Sequence, residues 1–243
     1  MHRKEFLTTL LLGLASSGLD AKTLFDPYSK EILLGKGKPL LSKVENPLLQ
    51  HVQKAFDQMA AAAQKENIAL KVVSGYRSFD RQASIWNRKY EANTTAGLKP
   101  KENIQKIISY STLPGTSRHH WGTEIDVIDA GPKAEGDVLV ASKFEGDGPY
   151  AKLFGWMQRN AADFGFILPY TKTLNRKGFA YEPWHYSYAP LAIPMLNAYL
   201  KLDLRRVLKT SNVMGNEHFT STFIDTYIKE NIKGINPKLL QII

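Results

Sequence analysis

An α+β fold, a small antiparallel sheet flanked by helices, is what this sequence predicts, and three observations carry that expectation. The chain of 243 residues, 43% hydrophobic and 23% charged, suffices for one sizeable core. Apolar residues recur at helical spacing in several separate segments, whereas only three short stretches have strand character. No internal repeat or low-complexity tract appears.

The elements follow in order. His2, Arg3 and Lys4 precede an apolar run from Phe6 to Leu14 and the small residues Ala15, Ser16, Ser17 and Gly18. This is the layout of a secretory signal peptide over residues 1–20, with a run too short to span a bilayer; a buried N-terminal helix is the alternative. Arg3 to Leu7 also has the look of a twin-arginine export signal with Lys in the second Arg position, and no Cys follows that could carry a lipid anchor. Residues 21–45 read as a polar connector. Asn46-Pro47 reads as a cap and first-turn residue for a helix whose apolar face is Leu48, Leu49, Val52, Phe56 and Met59, ending near Gln64.

Ala69 to Ser74 is a β-branched strand candidate that stops at Gly75, and Ser78 caps a helix presenting Ala83, Trp86 and Tyr90 on one face. Lys101 to Tyr110 is a further short helix. Ser111 to Gly122, with Pro114 and Gly115, is loop, and Glu124 to Ile128 alternates as a strand does. Gly131 to Gly148 reads as an exposed excursion. Pro149 to Phe164 is a helix stopped by Gly165, and Phe179 to Tyr188 is strand-like, with Pro183 marking an edge or bulge. Leu191 to Leu208 and Phe219 to Ile232 read as helices.

A formal net charge of +9 favours anionic partners, whether nucleic acid, acidic lipid or an acidic polymer of the cell envelope, and charge alone does not choose among them. With no RNA-binding aromatic signature, no Cys-His finger and no long basic block, nucleic acid is not the expected partner. No stretch after the signal is long and apolar enough to predict a membrane span. The absence of Cys excludes disulfides, thiolate nucleophiles and thiolate metal ligands, so any metal site must use His and carboxylate.

Two segments meet that requirement. One is Ser117-Arg118-His119-His120-Trp121-Gly122-Thr123-Glu124-Ile125-Asp126, and the other is Glu182-Pro183-Trp184-His185. The His-Glu-x-x-His helix of many zinc enzymes is absent. A loop His, a strand Asp and a second strand His can nevertheless converge on zinc and leave a position open for water. Glu182, three residues before His185, is within reach of such a water without binding the metal, and a carboxylate there can take its proton during attack on a carbonyl.

The spacing Ser117-x-His119-x-x-Gly122-x-x-x-Asp126, followed by Glu182-Pro-Trp-His185 and preceded by Ser74-Gly75-Tyr76-Arg77-Ser78 with Gln82, resembles the signature of the LAS zinc peptidases, specifically the VanY-like D-alanyl-D-alanine carboxypeptidases. The likeness runs from residue 74 to residue 186. It implies a LAS or hedgehog-like peptidase fold, one zinc ion held by His119, Asp126 and His185, Glu182 as catalytic base, and Arg77 as a catalytic and substrate-binding cation. Gln82 and Ser117 are further candidates for substrate contact. A planar, permanently charged guanidinium suits a terminal carboxylate or a developing oxyanion.

The signal-like N-terminus makes an exported, periplasmic or envelope-associated location the expectation, and the resemblance further implies an enzyme acting on peptidoglycan stem peptides. It would remove a terminal D-Ala as a D,D- or L,D-carboxypeptidase, with a catalytic domain at 46–195 and a helical extension at 196–243. The alternatives are an endopeptidase on the same fold, whose members tend to have Asp in the place of Glu182, and a non-hydrolytic muropeptide-binding module, against which an intact Glu182 argues. Two positions depart from the pattern: Glu124 stands where Ala is usual, on the same strand face as Asp126, with a perturbed site or a substrate contact as its expected effect, and Ser187 stands where many members carry Arg. His120 reads as a rim residue, with a supporting position behind the metal ligands as the alternative, Asp129 and Glu145 as solvated loop carboxylates, Trp121 and Trp184 as packing that shields the metal, and His2, His51 and His218 as chemically unaccompanied.

Overall fold

A computed structural model describes residues 26–241. The segment 1–20, read above as a signal peptide, lies outside them. A short helix, α1 (Lys30–Leu33), buries Ile32 and Leu33, and α2 (Gln50–Gln64) buries Val52, Ala55, Phe56, Met59 and Ala63, a single stripe at helical spacing. Helix α2 starts later than Asn46-Pro47 suggests. The Asn46 amide donates to the Val72 carbonyl and the Pro47 carbonyl accepts from the Tyr76 N–H, so these two residues brace the next strand instead of capping a helix.

That strand is β1 (Leu70–Ser74), and after it Ser78 caps α3 (Phe79–Thr95) by accepting the Arg81 N–H. Helix α4 (Pro100–Ile108) begins with proline in its first turn, where a missing N–H costs nothing. β2 (Glu124–Asp129), α5 (Ala151–Asn160), β3 (Phe166–Ile167), β4 (His185–Tyr188), α6 (Ala189–Tyr199), α7 (Leu204–Lys209) and α8 (Ser221–Tyr227) complete the set.

The four strands form one antiparallel sheet in the order β1-β2-β4-β3, which is the expected fold class. Register decides what shares a face. Asp126 lies opposite His185 and Glu124 opposite Ser187, so these four side chains lie on one face, while Ile125, Val127 and Tyr186 lie on the other, in the hydrophobic core. A bulge at Val73 brings Ser74 opposite Asp126, onto the polar face.

Several expectations change. The strand read over Phe179 to Tyr188 shortens to His185–Tyr188, because a turn at Pro183-Trp184 precedes it and proline has no N–H to give a ladder. The helix read over Leu191 to Leu208 is broken, with Asp203 accepting the Arg206 N–H to start α7 afresh. Asp129 is not a solvated loop carboxylate. It is 5% exposed, and its Oδ1 accepts the N–H groups of Ala69 and Gly131. The helices after residue 195 share the main core through Leu204, Leu208, Ile224 and Tyr227. Among the described residues, no helix is long and apolar enough to cross a membrane.

Candidate active site

The cavity of interest, about 470 Å³, opens over the polar face of the sheet. Its wall includes Arg77, Ser117, His119, Asp126, Glu182 and His185, so four chain segments from residue 77 to residue 185 are gathered there. Trp184 also lines it and packs against Phe144, whereas Trp121 does not shield the cavity but lies in the core, donating to the Leu33 carbonyl with its ring tilted against Tyr199.

His119 sits in a single tight turn, Arg118–Trp121, closed by Gly122 at φ +67°, a conformation that favours glycine. From Gly122 the chain turns directly into β2, which carries Asp126. The His119 Nδ1 hydrogen-bonds the Gly75 carbonyl at 2.7 Å, which directs Nε2 toward Asp126 Oδ2 at 3.4 Å. His185 is arranged the other way round: Nε2 bonds Glu124 Oε2 at 2.9 Å, and Nδ1 faces Asp126 Oδ1 and Glu182 Oε2, each at 3.3 Å. One donor atom from each of His119, Asp126 and His185 falls within 4.8 Å of the others.

These residues fit a zinc ion. Two ligands at ordinary Zn–N and Zn–O lengths in a tetrahedral site are separated by about 3.3 Å, which is the spacing of the inward imidazole nitrogens from the Asp126 oxygens. Asp126 Oδ1 is buried yet makes no hydrogen bond, although His185 Nδ1 is near, so an acceptor is left facing the gap between the imidazoles. Both rings commit their outer nitrogen to an oxygen, as metal-binding histidines do. Without metal, burial disfavours the charged form of His185, but its bonds to Glu124 and Glu182 and the charge of Asp126 outweigh this and raise it to about 10.

Arg77 reaches the cavity from the segment after β1. Its Nη1 donates to Gln82 Oε1 at 2.8 Å and its Nη2 to Ser74 Oγ at 3.0 Å. Gln82 itself is fully buried and donates to the Thr112 carbonyl at 2.8 Å; it holds the guanidinium and does not line the cavity. His120 is not at the rim but fully buried, its Nδ1 on the Arg77 carbonyl at 2.6 Å and its Nε2 accepting the Gly115 N–H at 3.0 Å. Burial, partly offset by the bond to the Arg77 carbonyl, lowers it to about 3, so this imidazole is neutral.

Glu124 is also fully buried and lies outside the cavity wall, which removes a substrate contact from its possible roles. Burial alone would raise its carboxyl, but the Arg118 guanidinium and hydrogen bonds from His185 and Ser187 hold it at about 2. Arg118, a cavity-lining residue, and Tyr170, whose ring meets His185 edge-on at 4.9 Å, are the site members that no sequence pattern announces. His51 and His218 are exposed and remote from this group.

A family model described as VanY, D-alanyl-D-alanine carboxypeptidase, matches residues 45–191. The putative carboxypeptidase YodJ of Bacillus subtilis is 33% identical over 137 residues, covering 55% of this chain and 43% of that protein. The chain thus spans less than half the length of that relative. Among solved structures, VanYB in complex with D-alanine-D-alanine superposes with a TM-score of 0.51 at 21% identity, over 73% of this chain and 92% of the other. The vancomycin-resistance D,D-pentapeptidase VanY in complex with Zn(II) gives 0.50 at 19%, over 75% and 90%. At these identities the structural likeness is one of fold.

Proposed function

Because the chain belongs to the VanY family of D-alanyl-D-alanine carboxypeptidases, we propose that it is a zinc metallocarboxypeptidase that removes the terminal D-Ala from peptidoglycan stem peptides. The observation that carries this reading is the meeting of His119, Asp126 and His185 with Glu182 and Arg77 around one cavity, in the chemical combination that hydrolysis of a carboxyl-terminal peptide bond requires. The zinc of one VanY structure and the D-alanine-D-alanine of another support the choice of metal and of substrate class. Export to the cell envelope, read from residues 2–18, belongs to the same proposal and agrees with a basic chain acting on an anionic wall.

In this reading His119, Asp126 and His185 hold the zinc ion, which when bound supplies Lewis acidity to a peptide carbonyl and to water. Glu182 accepts the proton of the attacking water and returns it to the leaving amine. Arg77, pre-aimed by Gln82 and Ser74, binds the substrate's terminal carboxylate or the charge that develops on the scissile carbonyl. Ser117 on the cavity wall is positioned for a hydrogen bond to the peptide. Tyr170 and Trp184 keep bulk water from the reacting groups.

The test is mass spectrometry of muropeptides digested by the zinc-loaded protein. Release of a single alanine is expected; comparing pentapeptide with tetrapeptide stems then assigns D,D or L,D specificity. Scission within the stem would replace the carboxypeptidase reading by an endopeptidase one, and binding without any product would replace both by a binding module.

A further inference from the structure

Resting on the zinc reading above, we propose that Glu124 is a positioning residue for the metal ligand His185, acting through an anionic hydrogen bond and held in place by Ser187 and Arg118. The placement follows from strand geometry. Glu124 is two residues before Asp126 and Ser187 two residues after His185, so alternation sets all four on one face, and the register puts Glu124 directly opposite Ser187.

Glu124 Oε2 lies 2.9 Å from His185 Nε2. A carboxylate only accepts, so Nε2 carries a proton toward Glu124, and Nδ1, which faces Asp126 and Glu182, is the nitrogen left to give its lone pair to a metal. The carboxylate cannot turn away from this task. Its Oε1 takes hydrogen bonds from Ser187 Oγ at 2.7 Å, Thr123 Oγ1 at 2.9 Å and Arg118 Nη2 at 3.2 Å, and Arg118 Nε reaches Oε2 at 3.3 Å. Arg118 Nη2 also donates to Ser187 Oγ at 2.6 Å, which closes the network.

The two imidazoles are therefore unequal. His119 leans on a neutral backbone carbonyl, His185 on a buried anion that increases the electron density it offers a metal. Glu124 and Ser187 touch each other across the strand pair, and Arg118 contacts both. The three act as one unit: Glu124 supplies the carboxylate, Ser187 fixes its orientation, and Arg118 supplies the compensating charge.

The experiment measures zinc affinity of the full chain by competition with a chromophoric chelator, alongside the visible spectrum of the cobalt(II) form and the unfolding midpoint in excess chelator. Glu124→Ala should weaken zinc about 10- to 100-fold and shift the cobalt spectrum. Glu124→Gln, whose amide oxygen still accepts the Nε2 proton but carries no charge, should fall between the two. Should Glu124→Ala fail to fold because Arg118 is left unpaired, the near-isosteric Gln variant carries the test. A folded variant with the affinity and cobalt spectrum of the unaltered protein overturns the proposal. Failure of the unaltered protein to bind zinc would instead sink the metal site itself, so the two readings fail separately.

Discussion

Lowering the pH should destabilise this protein through His120, a residue that takes no part in the proposed chemistry. Its Nδ1 proton goes to the Arg77 carbonyl, and its Nε2 accepts from Gly115, so a second proton has nowhere to sit without opposing the Gly115 N–H. The sign follows from the direction of the shift. The imidazole titrates near its ordinary value of 6.5 in the unfolded chain and at about 3 in the folded one, so between these values the unfolded chain binds the proton and the folded chain does not. Stability is therefore intact above about pH 6.5 and falls as pH drops toward 3. At about pH 5 the loss amounts to roughly 2 kcal/mol, from about 1.5 pH units at 1.36 kcal/mol each. The assay is urea unfolding at about pH 7 and about pH 5, with chelator present so that metal release does not contribute, for the unaltered protein and His120→Asn. Asn keeps a donor for the Arg77 carbonyl but cannot titrate. The variant should start less stable yet lose about 2 kcal/mol less between the two pH values; equal losses would refute the argument that this ring is held neutral by its burial.

Three further outcomes are expected. Glu182→Gln should bind zinc normally and lose roughly 10²- to 10⁴-fold in kcat, measured on a D-Ala-terminated peptide; a near-normal rate would remove Glu182 from the mechanism. Gln82→Ala, which frees Arg77 Nη1 from its 2.8 Å partner, should lower kcat/KM by roughly 10- to 100-fold while zinc affinity stays unchanged. Gly75→Ala would bring a methyl group to 2.6 Å from the Pro47 carbonyl oxygen and 2.7 Å from that of Asn46, both backbone atoms. That variant should lose about 1–3 kcal/mol in urea unfolding, and zinc affinity with it, since the Gly75 carbonyl orients His119.

The legible part of the fold and site is the part governed by local spacing. Residues 124 and 126 share a face because a strand alternates, and His119 precedes them by one turn that ends at a glycine, so the relation of His119 to Asp126 is written in eight consecutive residues. Helix α3 is likewise marked by the Ser78 cap and its apolar spacing. What sequence reasoning misplaces depends on contacts distant along the chain. Gln82 reads as a substrate ligand, but its amide is taken by Arg77 and Thr112. His120 reads as a rim residue, and only the folded Arg77 segment reveals why it is buried. Arg118 has no pattern of its own because its partners, Glu124 and Ser187, come from two different strands. The two-residue β3 is too short for periodicity to register.

The segment Gly75–Arg77 and the turn His119–His120 are stitched together by three hydrogen bonds: His119 Nδ1 to the Gly75 carbonyl, the Arg77 N–H to the His119 carbonyl, and His120 Nδ1 to the Arg77 carbonyl. His119, the proposed metal ligand, and Arg77, the proposed carboxylate-binding cation, thus ride on one hydrogen-bonded body. Whatever orders that body for one guest orders it for the other, which is a coupling free energy between two binding events, and such coupling is reciprocal. Under the proposed function, the factor by which zinc tightens the grip on a peptide carboxylate is the factor by which that peptide tightens the hold on zinc, so where metal is scarce the zinc would stay longest in molecules whose cavity already holds peptide.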